Sequence, residues 1–129
     1  MNYHYTTKLN NTTFEKAVER VTEELQKEGF GILTEIDIKN TLKKKLDVDF
    51  YNYKILGACN PTFAHKALLK EDKIGTLLPC NVIVQEKVRG TIEVSTVDPV
   101  TSMSAIENES LAPIAIEVRD KLKKVIDNL

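Results

Sequence analysis

The chain has 129 residues, 42% of them apolar and 29% charged, which suits one soluble domain spanning residues 1–129 and is too short for two. Its 18 basic and 19 acidic residues give a formal net charge of −1, a balance that leaves no electrostatic footprint for nucleic acid. No apolar stretch reaches the length of a membrane span, and Met1-Asn2-Tyr3-His4-Tyr5 lacks the charged-then-apolar pattern of a signal peptide. Cytoplasmic residence is therefore expected, and there thiols stay reduced, which argues against a permanent structural disulfide.

Residues 2–8 alternate, with Tyr3 and Tyr5 on one face, and predict a first strand. Asn10-Asn11 makes a turn. Thr12-Thr13-Phe14-Glu15 reads as a capping box, followed by Phe14, Ala17, Val18, Val21 and Leu25 at helical spacing, with Gly29 closing the helix. Gly31 to Glu35 is a short second strand. Asp37 caps a helix carrying Ile38, Leu42 and Leu46, and Lys43-Lys44-Lys45 forms its solvated face.

Val48 to Ala58, rich in aromatic and branched residues, predicts a third strand. Asn60-Pro61 then starts a short helix, with Asn as cap and Pro at the first helical position, and Ala64, Ala67 and Leu68 as its buried side. Val82 to Val88 and Thr91 to Val97 flank a turn near Lys87–Gly90 and predict a hairpin. Asp98-Pro99 ends it, and Val100 to Glu107 holds a short helical segment. Leu111, Ile114, Val118, Leu122, Val125 and Leu129 mark one face of a last helix, with Ser110 as its cap and Pro113 in its first turn. The order predicts an α+β two-layer sandwich, a mixed and mainly antiparallel sheet with helices packed on one face.

The chemistry-bearing residues are two cysteines in matching contexts. Gly57-Ala58-Cys59-Asn60-Pro61 leads into a helix, and Leu78-Pro79-Cys80-Asn81-Val82 leads into a strand. Both lie at junctions between elements, where reactive side chains collect. The helix after Cys59 would favour a thiolate there, whereas Cys80 has only a strand behind it. Against this stands the plainer reading of each as a small packed side chain. Asn60 and Asn81 are the expected amide partners of the thiols in one polar pocket. Their structural alternatives are a helix cap and a backbone contact at a strand end.

No metal is assigned. Zinc would want about four ligands. His65 is the only histidine near Cys59 and belongs beside Lys66 on the solvent side of its helix, and His4 is distant. Two thiolates could suit a soft ion such as Cu(I), and zinc would require His65 or a second subunit. Glu35, Asp37 and Asp98 read as cap and turn residues. The five glycines are too dispersed to cradle a phosphate. No cofactor is named by these residues.

Taken in order, Gly57-Ala58-Cys59-Asn60-Pro61, Ala64, Leu68, Leu77-Leu78-Pro79-Cys80-Asn81-Val82, Gly90 and Asp98-Pro99 resemble the domain of unknown function 302, in a two-cysteine branch. The Glu35-Ile36-Asp37-Ile38 stretch and the last helix fit as well. The resemblance covers nearly the whole chain. It implies a compact α+β fold, a homodimer, a prokaryotic source, a loose association with redox and sulfur contexts, and no established activity.

Three functional readings follow. The first is a domain that binds a small ligand or responds to thiol state near Cys59, Asn60, Cys80 and Asn81. The second is a thiol or sulfur-transfer enzyme with Cys59 as nucleophile and Cys80 as resolving thiol. The third is a structural or interaction protein with inert core cysteines.

Overall fold

The computed structural model describes residues 2–129. Five strands form one sheet in the spatial order β1-β5-β4-β3-β2: β1 (His4–Asn10), β2 (Gly31–Asp37), β3 (Asn52–Cys59), β4 (Cys80–Val88) and β5 (Thr91–Val97). Every pairing is antiparallel, so the parallel component allowed by "mixed" is absent among the described residues. The predicted hairpin is β4–β5, and Gly90 turns it at φ +89°, a left-handed value that glycine adopts without a side-chain clash.

Helix α1 (Phe14–Lys27) connects β1 and β2, which occupy opposite edges, so it must cross the sheet. It packs on β4 and on α5 (Ala112–Asp127). Phe14, Ala17, Val21 and Leu25 are its buried stripe, and Ile114, Val118, Leu122 and Val125 are that of α5. Between them and the sheet lie Leu56, Val82, Val84, Ile92 and Val94, all fully buried. Truncating such a side chain to alanine typically costs about 2–5 kcal/mol.

Several local expectations need correction. The first strand runs from His4 to Asn10 because its partner β5 supplies a ladder from Val97 to Thr91. Thr13, not Thr12, caps α1, accepting from the Lys16 amide at 3.2 Å, so Glu15 is too early to close a capping box. β3 starts at Asn52. The preceding aromatic residues instead stack on one another, Phe50 on Tyr51 at 4.1 Å between ring centres.

In α2 (Ile38–Leu46) the Asp37 cap is made, to the Asn40 amide at 3.0 Å, but no residue of the helix is fully buried and Leu46 is exposed. Lys43 pairs with Asp47 and Asp49 at the surface, as a solvated basic face would. In α3 (Pro61–Lys70) only Ala67 is buried, and Leu68 faces solvent. Helix α4 is shorter than expected, Pro99–Ser102. Asn108 rather than Ser110 caps the turn of 3-10 helix at Glu109–Leu111, which runs directly into α5.

Asp98 is more than a turn residue. It is buried at the end of β5 and accepts from the Tyr5 hydroxyl at 3.2 Å, the Val100 amide at 2.9 Å and the Thr101 hydroxyl at 3.2 Å. These bonds tie β1, β5 and α4 together. Burial, and next the Asp98 carboxylate, push the Tyr5 hydroxyl above its ordinary pKa.

Candidate functional site

Strands β3 and β4 are neighbours, and their register sets Ala58 opposite Cys80. Cys59 is the next residue along β3. Strand spacing therefore puts the two cysteine α-carbons roughly 6 Å apart, inside the range a disulfide can span. Both thiols are free. Cys80 shares the inward face with Ala58 and belongs to the core at 7% exposure. A regular pleat would turn Cys59 to the other face. Cys59 is the last residue of β3, however, and it still contributes to the wall of an apolar cavity beside Cys80.

That cavity has a free volume of about 30 Å³ and lies between the β3–β4 end, α3 and α5. Phe63, Leu78, Pro79, Met103 and Ile114 complete much of its wall. Burial pushes the Cys80 thiol from 9.0 up to about 11, and the neighbouring Cys59 thiol adds to the rise. Cys80 is thus a protonated thiol at neutral pH.

The floor of this region depends on Gly57. A bulge in β2 between Ile32 and Thr34 pairs Thr34 with Gly57. A β-carbon on Gly57 would overlap the Thr34 hydroxyl oxygen and come within 2.8 Å of Pro79 Cγ. The missing side chain is what lets β2 and the Pro79 segment close over this point of β3.

Asn60 does not cap α3 with its side chain. Its amide Nδ2 donates to the Glu28 carbonyl at 3.3 Å, at the end of α1, beside Gly29 with its φ of +87°. Asn60 therefore ties the α1 terminus to the β3–α3 junction. The first amides of α3 consequently have no side-chain acceptor from their cap, directly after Cys59. Lys66 and Lys121 place their ammonium groups 5.4 and 5.9 Å from the Phe63 ring centre, so two cations gather where Phe63 closes the cavity.

Asn81 goes elsewhere. One residue after Cys80 the strand turns it outward, and it lines a separate cleft of about 500 Å³ on the sheet face opposite α1 and α5. The expected polar pocket shared by all four residues is therefore not formed. Cys59, Asn60 and Cys80 border one apolar cavity, and the period-2 pleat removes Asn81 from it. In the outer cleft Thr6 is hydrogen-bonded to Ser95 at 2.8 Å and to His4 Nδ1 at 3.0 Å. That cleft was invisible in the sequence because its residues come from β1, β3, β4 and β5 and meet only through register.

The acidic residues serve structure: Glu35 pairs with Lys54 at 2.7 Å and Asp37 caps α2. His65 is exposed. Among the described residues, no three His, Cys, Asp or Glu side chains converge as a metal-ligand set. No helix among them is long and apolar enough to cross a membrane.

Met103 is the site residue that sequence reasoning missed. It follows α4, a segment with no periodic pattern to place it, and it reaches the cavity only because α4 packs on α5.

No curated protein matches the chain. Among solved structures it is similar to the crystal structure of an uncharacterized conserved protein DUF302 from Bacillus stearothermophilus, with 29% identity, a TM-score of 0.89 and 98% of each chain covered. The model of the family described as "Domain of unknown function DUF302" matches residues 5–129, and the chain belongs to that family.

Proposed function

We propose that this chain is a single cytoplasmic, prokaryotic domain that binds a small ligand and responds to thiol state at the β3–β4 end, and that it works as a homodimer. The observation that carries the first part is that Cys59 and Cys80, the residues with matching contexts, border one cavity. Cys59 is the less buried cysteine of the pair, beside the uncapped start of α3. Cys80 is the buried, protonated partner.

The test is the pH dependence of alkylation, measured on Cys59→Ser and Cys80→Ser single variants. Cys59 in the folded Cys80→Ser protein is expected to label first. Cys80 in the folded Cys59→Ser protein is expected to label about 100-fold more slowly than after unfolding, since two pH units separate its folded and ordinary values. Faster labelling of Cys80 would reverse the roles. No labelling of Cys59 in the folded state would leave both thiols as inert packing.

For the homodimer, support comes from apolar side chains left exposed, with Tyr3 at 64% beside the outer cleft and Ile36 at 44%. Light scattering at micromolar concentration should give twice the 14.6 kDa chain mass. A constant monomer mass from micromolar to millimolar concentration would refute it.

A further inference from the structure

We propose that the ligand of the Cys59–Cys80 cavity is a single soft monovalent metal ion of the Cu(I) type, held by both cysteine sulfurs with the Met103 thioether as a third donor. The proposal rests on the reading of this cavity as the ligand site.

Size excludes the usual occupants first. A free volume of about 30 Å³ is close to that of one or two waters, whereas sites for organic ligands run to roughly 300–1,000 Å³. The enclosed part of the cavity therefore takes one atom or very few. Water is a poor candidate, since an ordered buried water needs about two to four polar partners. The side chains around this cavity are nearly all hydrocarbon or sulfur, and the exception, Asn60, gives its amide to Glu28.

The donor set then selects the ion. Thiolate and thioether sulfurs prefer soft ions, which bind two or three sulfurs without retaining water. Zinc, calcium and magnesium need more ligands than this place offers. Among the described residues no third His, Cys, Asp or Glu joins the two cysteines. Methionine is the donor that separates the two cases, because it ligates soft ions and not hard ones.

Charge and protons balance. Cu(I) replaces one proton on each thiol, giving a bis-thiolate complex of net charge −1 and releasing two protons to solvent. The surroundings fit an anion. The first amides of α3 lack a side-chain cap, and Lys66 and Lys121, which do not line the cavity, lie 5.4 and 5.9 Å from the ring of its wall residue Phe63. Cys59, the less buried cysteine, would meet an incoming ion first, and the ion then displaces the proton of buried Cys80 to complete the site.

The experiment is anaerobic titration of the reduced protein with Cu(I), against a chromophoric Cu(I) chelator, with proton release and the ultraviolet thiolate-to-metal absorption followed together. Expected are one ion per chain, close to two protons released per ion, and sulfur-only coordination by X-ray absorption. Cys59→Ser and Cys80→Ala should each weaken binding at least 100-fold, and Met103→Leu about 10-fold. Because Cys80 is buried, its variant is accepted only with an unchanged far-ultraviolet circular dichroism spectrum. Cys59→Ser, at a less buried position, tests the same claim independently.

Undiminished binding by either cysteine variant would overturn the site. So would one ion per two chains, equal affinity for Zn(II), or failure of the wild-type protein to compete with the chelator. If Cu(I) fails to bind while Cys59 still alkylates in the folded protein, the ion is wrong and the thiol-responsive reading stands. If neither occurs, both fall.

Discussion

Replacing Gly57 with alanine is expected to destabilise the domain by about 3 kcal/mol or more, at the upper end of what overpacking usually costs. The position has an ordinary backbone, so conformational strain is not the reason. The reason is space: the added methyl meets the Thr34 hydroxyl from β2 and the Pro79 ring from the segment entering β4. Neither neighbour is the free end of a flexible chain. Thr34 is set by the bulge in β2, and Pro79 immediately precedes the first ladder residue of β4. Relief requires one of two strands to move away from β3. For a domain with about 5–15 kcal/mol in total, that is a large fraction. Urea unfolding of Gly57→Ala reads the effect directly. Adding Thr34→Ala should recover part of the loss and leave the Pro79 part. A change below about 0.5 kcal/mol would show that the close approach yields easily.

The second large effect is a loss of stability in alkali carried by Cys80. Its folded pKa is about 11 against an ordinary 9.0. Between those values the unfolded chain gives up the thiol proton and the folded chain keeps it. The unfolded state then binds fewer protons, so unfolding becomes easier as pH rises. The contribution is absent below pH 9, grows through the interval and reaches about 2 kcal/mol near pH 11. Tyrosines and lysines titrate in the same range, so the informative quantity is the difference between wild type and Cys80→Ala. Alanine keeps the apolar side of the site and has nothing to ionise. The wild-type curve should fall away from that of the variant above pH 9. Parallel curves to pH 11 would mean that Cys80 ionises as easily folded as unfolded.

Element identity was readable wherever one residue sequence carried its own period. Leu111, in the 3-10 turn, and the stripe Ile114, Val118, Leu122, Val125 of α5 are buried as their spacing requires, and β4–β5 folds back at Gly90. What failed depended on a partner the local sequence does not contain. Thr13 and Asn10 moved because hydrogen-bond ladders, not composition, set the end of β1 and the start of α1. Leu46 and Leu68 fit helical spacing and face solvent, because α2 and α3 offer little surface to cover them. Within the site, the cysteines were legible through their repeated contexts and their proximity through register. The repeat misled for the asparagines. Asn60 reaches α1 and Asn81 follows the pleat to the opposite face, so two residues in like settings end with unlike tasks. Met103 had no local signal at all.

The strand order has a consequence for how the molecule comes into being on the ribosome. Strand β1 is made first, yet its only partner in the sheet is β5, at the far side of the sequence. Until Thr91–Val97 emerges, β1 lacks the strand it pairs with, and α1 waits longer still for α5. Synthesis at about 5–20 residues per second leaves several seconds in that condition. A sheet whose outer strand waits for its inner one depends on long-range closure, and mixed α/β domains of this kind fold between the fast helical bundles and the slow all-β sandwiches. Lys8, on the β1 edge, is one charged side chain that discourages edge-to-edge pairing meanwhile.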